Sequence, residues 1–170
     1  MILRQEIEPK VEIARMLYPE ILRLILKYAD DCEKNGDENN TQYTGLASAL
    51  HQLTGKDMSE FNLWEWWEEE GAETLAYRIA LPYPIKIENI TRAELTEIIN
   101  RLKHNVDSAN PEAHKTADSH FNHCIHEYYF SFLKINFKKY KYSFFNRQQD
   151  SHGKYFELST DDIANIIWNK

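Results

Sequence analysis

The segment His120–Phe121–Asn122–His123–Cys124–Ile125–His126–Glu127 holds the residue types best suited to metal chemistry. On a helix, His120, His123, Cys124 and Glu127 recur at spacings of three and four and fall within one stripe. Imidazole and thiolate are good ligands for zinc and related ions. Against a metal site, the chain has no HExxH order and no paired CxxC, and His104 or His114 could add a ligand only from a loop that folds back. Packing of the same side chains beside Phe121 and Tyr128 accounts for the pattern without a metal. A Cys–His nucleophile pair fits less well, because successive helical residues point apart and one turn rarely gives attack geometry. The expectation is therefore no cofactor and no bound metal, with His120, His123, Cys124 and Glu127 as the residues where one would sit.

A second constellation suits recognition rather than reaction. Leu63–Trp64–Glu65–Trp66–Trp67–Glu68–Glu69–Glu70 packs three of the four tryptophans and four acids into eight residues. No Lys or Arg occurs between Lys56 and Arg78, so these acids have no local cation in sequence. Tryptophan is concentrated at binding hot spots, and clustered carboxylates attract cationic surfaces. Trp64, Trp67, Gly71, Leu75 and Ile79 share a helical face, so the first two can be core residues, whereas Trp66 lies off that face. The predicted partner-binding residues are Trp66, Glu65, Glu68, Glu69, Glu70 and Glu73.

The third constellation has the opposite charge. From Tyr128 to Gln149 there is no acid, while Lys134, Lys138, Lys139, Lys141 and Arg147 lie among nine aromatic residues. Such interleaving can grip single-stranded nucleic acid by charge and stacking. It also arises when aromatic residues build a core and lysine stems cover its rim, and that second reading is favoured here. No glycine-rich phosphate loop, GxSxG or EF-hand loop is visible.

Helical periodicity dominates the elements that would position these groups. Val11, Ile13, Leu17, Ile21, Ile25, Tyr28 and Cys32 predict helix over 10–33, broken near Tyr18 and restarted at Pro19. Thr44 is the expected cap of a short helix closed by Gly55, and Ser59 or Asn62 that of the acidic helix, which Gly71 weakens and Pro82 and Pro84 end. Thr91–Arg92–Ala93–Glu94 reads as a capping box launching a helix with Leu95, Ile98, Ile99 and Leu102 inward. After a loop over 105–115, a long helix should bury Phe121, Cys124, Ile125, Tyr128, Phe132 and Ile135. If Phe121 is fully buried, Phe121→Ala should cost about 3–5 kcal/mol. Residues 133–146 fit helix or strand. Asp150–Gly153 is a turn before a short strand at 154–158, and Ser159–Asp162 caps the last helix. The predicted fold is mainly α, a single-domain irregular bundle of about six helices over residues 1–170, with a β-hairpin near 143–158.

Composition narrows the function classes. With 170 residues, 27 acids against 20 Lys and Arg, and net charge −7, the chain is a poor match for free nucleic acid as its main partner. Cys32 and Cys124 make no disulfide framework. The first residues lack the apolar core of a signal peptide and no run has membrane-spanning length, so a cytoplasmic protein without membrane contact is expected. The acidic balance and the Trp64–Glu70 segment resemble bacterial immunity proteins of contact-dependent growth inhibition systems. The resemblance implies a tight complex with a cognate toxin, often a nuclease whose basic active-site surface is covered. It implies a binding protein and not an enzyme. The alternatives are a metal-binding protein or enzyme using the His120–Glu127 cluster, and a nucleic-acid-binding or assembly module using residues 128–149.

Overall fold

The computed structural model describes residues 2–65, 70–106 and 117–168. Among them are six α-helices and one short antiparallel hairpin, the mainly α class that the periodicity predicts. The chain groups into two compact units. The first comprises Met1–Pro9, Tyr83–Lys115 and Ile125–Lys170; the second comprises Lys10–Pro82 and Thr116–Cys124.

In the second unit, α1 (Val11–Asn35) and α2 (Thr41–Thr54) pack with α3 (Ala72–Ala80). Ala14, Ile21, Ile25 and Tyr28 of α1 are buried, as are Leu75, Ala76 and Ile79 of α3. The expected break at Tyr18 does not occur, since α1 runs unbroken through Pro19. Proline cannot donate to the carbonyl four residues earlier. Here that residue is Arg15, and both Arg15 and Pro19 are exposed, so water can take the missing donor's place. Ile13, expected inside, is 41% exposed, because Ala14 takes the inward position. Helix α2 begins at Thr41, not at Thr44. Its first turn is capped by the Asp37 carboxylate, which accepts from Gln42 N (3.0 Å) and Tyr43 N (2.8 Å). Gly55, at φ 70°, closes it as predicted by donating its N–H to His51 O at 2.7 Å.

In the first unit, α4 (Arg92–Val106) packs against α6 (Thr160–Trp168). Its capping box forms: Thr91 N donates to Glu94 Oε2 (2.7 Å) and Glu94 N to Thr91 Oγ1 (3.2 Å). The four predicted core residues Leu95, Ile98, Ile99 and Leu102 are all fully buried. Arg4 binds the same Glu94 through Nε at 2.6 Å, tying the chain's first segment to the start of α4. Burial opposes ionisation of Glu94, but Arg4 and Thr91 outweigh it and hold the carboxyl below its usual value. Ser159 and Asp162 repeat the reciprocal cap at α6.

Helix α5 (Ala117–Asn136) has its residues up to Cys124 in the second unit and the rest in the first. Cys124, Tyr128, Tyr129, Phe132 and Leu133 are buried. Phe121 and Ile125 are only half-buried and Ile135 is 42% exposed, which corrects three of the six expected inward positions. The stripe follows the two faces used by Tyr128–Tyr129 and Phe132–Leu133 and leaves Ile135 off it. Beyond Asn136 the chain makes a 3-10 turn at Tyr142–Phe145, then β1 (Gln148–Gln149) pairs with β2 (Tyr155–Phe156) in the register Gln148 to Phe156 and Gln149 to Tyr155. Asp150 builds the predicted turn by accepting from His152 N (2.8 Å) and Lys154 N (2.9 Å), with Gly153 at φ 80°.

Candidate recognition surface

The acidic segment does not continue as one helix into α3. Gly71 sits at φ 81°, ψ 156° and α3 starts only at Ala72, so Trp64 cannot share a helical stripe with Leu75 and Ile79. Positive φ is a conformation glycine adopts at little cost, and it turns the chain here. Trp64 is 45% exposed where the stripe placed it in the core. Asn62 does act as a local cap, its side-chain oxygen accepting from Trp64 N (3.3 Å) and Glu65 N (3.0 Å). Trp64 and Glu65 are therefore presented at the surface from a turn fixed by Asn62.

The predicted partner-binding residues fare differently. Glu65 and Glu73 are exposed, as a recognition role requires. Trp66, Glu68 and Glu69 lie outside the described residues. Glu70 departs from the expectation of acids without a local cation. Its carboxylate pairs with Arg78 and its side chain is only 12% exposed. The turn at Gly71 brings a residue eight positions on within reach, which spacing along one helix would not show. The Arg78 guanidinium also lies 5.5 Å from the centre of the Phe61 ring, so Glu70 belongs to the unit's internal packing.

Two features of this unit escaped the sequence reading. Tyr18 and Tyr77 stack with centroids 3.8 Å apart, and Phe121 meets Tyr77 edge-on at 5.8 Å. Burial, then Tyr77 and Glu73, push the Tyr18 hydroxyl up from its ordinary value, which places Glu73 beside this half-buried aromatic group. Glu73 and Tyr77 stand four apart on α3, a spacing visible in the sequence, but their partner Tyr18 is remote in it. The second feature is Lys56, 5% exposed, whose ammonium donates to Arg78 O (2.7 Å) and Leu81 O (2.6 Å) at the end of α3. Burial, reinforced by Arg78, lowers its pKa to about 8. It serves as a covalently tethered cation at a helix C-terminus, where charge of that sign is favourable.

Among the described residues, the side chains of the His120–Glu127 cluster do not converge as a ligand set. Cys124 is buried and its thiol donates to Thr74 O at 3.8 Å, while His123 and Glu127 are exposed. Adjacent residues of a helix diverge by about 100°, which separates the Cys124 and His123 side chains. The side chain of His120 lies outside the described residues. Among the described residues no three His, Cys, Asp or Glu side chains are arranged to hold a metal ion. Among them also, no helix is long and apolar enough to cross a membrane.

Compared with family models, curated proteins and solved structures, the chain matches none. The physical distribution of its side chains is thus what bears on its role. The second unit contains 15 acids against 7 Lys and Arg, a balance of −8, whereas the first has 12 against 13. All of the chain's net acidity belongs to the unit that presents Trp64, Glu65 and Glu73.

Proposed function

We propose that this protein is a binding protein of the immunity type, which neutralises a cognate toxin domain by covering a basic surface of it. The observation that carries the reading is the segregation of charge: a compact unit with a balance of −8 that also exposes an indole beside a carboxylate. Carboxylates on a rigid frame attract a cationic surface over distance and speed encounter, while a buried aromatic anchor slows dissociation. A nuclease toxin suits this chemistry, because its active-site surface must be basic to hold phosphates. The interface comprises Trp64, Glu65 and Glu73, together with Trp66, Glu68 and Glu69 of the same segment. Glu70 is left out, since it is engaged by Arg78. The protein acts in the cytoplasm, where a delivered nuclease would meet its substrate, and needs no cofactor.

The test is co-expression with the product of the neighbouring reading frame. The proposal expects growth to be restored and a one-to-one complex to be recovered. A toxic neighbour that this protein neither binds nor counteracts would contradict it.

A further inference from the structure

One stretch of the first unit, residues 134–156, is opposite in character to the acidic unit. Lys134, Lys138, Lys139, Lys141, Arg147 and Lys154 are all exposed. Among them three aromatic rings stand in water: Tyr142 at 56%, Tyr155 at 62% and Phe156 at 45%. Lysine stems over a core account for most of the nine rings between Tyr128 and Gln149, which are buried or half-buried, but not for Tyr142, nor for Tyr155 and Phe156 of β2. The Tyr142 ring is held in place by Phe130, which it meets edge-on at 4.8 Å, and Phe130 also packs on Phe145 at 5.2 Å. Tyr155 and Phe156 are held by the hairpin ladder. Two acids of the hairpin are occupied or weakly placed. Asp150 is used by the turn, and Glu157 meets Arg147 at 3.7 Å with both side chains at least 60% exposed.

We propose that this basic aromatic stretch binds single-stranded nucleic acid, the rings stacking on unpaired bases and the cations following the phosphates. Exposed rings and exposed cations are the two elements such binding requires. A duplex offers no free base face to a ring. A lipid surface fits less well, because a membrane-lying element presents a continuous apolar stripe, whereas here Asn146, Gln148 and Gln149 interrupt the rings. The net charge of −7 does not forbid the contact. At physiological ionic strength exposed charges are screened beyond about 8 Å, so the basic stretch acts on its own surroundings. The proposal is independent of the toxin reading, which rests on the other unit.

The test is fluorescence anisotropy of the full chain with a labelled oligouridylate of about 12 nucleotides, beside a duplex RNA of equal length and phosphatidylserine vesicles. The single strand should bind more tightly than the duplex and the vesicles. Tyr155→Ala and Tyr142→Ala should each weaken it about fivefold or more. Because Tyr155 is the more exposed, its variant keeps the test valid if loss of Tyr142 disturbs Phe130. Substituting Lys139 and Lys141 together by Ala should reduce the slope of log affinity against log salt by about 1.4, the value for two phosphate contacts on a single strand. No single-strand binding at low salt, equal affinity for duplex, wild-type affinity in both Tyr variants, or binding to vesicles alone would overturn the proposal.

Discussion

At the residue scale the most consequential side chain is Lys56, which nothing in the sequence marked. Its ammonium satisfies two carbonyls at the end of α3 while almost wholly buried. Lys56→Met removes both donors and leaves buried acceptors unpaired, which should cost about 1–3 kcal/mol in urea unfolding. Its pKa near 8 in the folded chain lies below the ordinary 10.5. Between these values the unfolded chain binds more protons than the folded one, so this group makes stability rise with pH across that window. Below pH 8 both states are protonated and the penalty of burying the charge is fully present. Unfolding midpoints at pH 7.5 and 9.5 should diverge less in Lys56→Met than in the wild type. The core makes a second residue-scale prediction. Phe132 is fully buried and Phe121 only partly, so Phe132→Ala should cost about 3–5 kcal/mol and Phe121→Ala clearly less. Equal losses in the two variants would contradict that ranking.

At the element scale, what was legible in the sequence was local. Thr91–Glu94 and Ser159–Asp162 form their reciprocal caps because the partners lie three residues apart, within reach of one turn. Leu95, Ile98, Ile99 and Leu102 face inward because their spacing matches the helical period. What was not legible depended on solvent or on remote partners. An interior proline costs less where the carbonyl it orphans can reach water, and exposure of Arg15 meets that condition for Pro19. The pairing of Glu70 is invisible to spacing because its cation, Arg78, lies beyond Gly71, on the far side of a turn that spacing does not encode. Cys124 turned to Thr74, a residue fifty positions away, and not to the histidines beside it. The unbroken α1 gives an element-scale prediction. Pro19→Ala restores the N–H that Arg15 O lacks and should raise stability by about 1–3 kcal/mol, seen as a higher thermal midpoint. A lower midpoint would mean that the proline's fixed φ matters more than the missing bond.

At the scale of the whole molecule, a modest net charge conceals two units of different sign. The overall −7 is the −8 of one unit offset by the near neutrality of the other, in which six of the thirteen Lys and Arg lie between Lys134 and Lys154. Composition alone could show the total but not this separation, because the units are assembled from distant stretches of chain. The acidic unit's role as a docking partner for a basic protein is the central claim. It is tested most directly by the association rate with the product of the neighbouring reading frame, measured at low and physiological ionic strength. The comparison is between the wild type and a variant carrying Glu65→Lys and Glu73→Lys, both at exposed positions where charge reversal spares the core. The account predicts fast wild-type association that slows as salt rises, and a variant that associates more slowly and with a flatter salt dependence while dissociation changes little. A confirmed complex whose association rate ignores both salt and the two substitutions would contradict it.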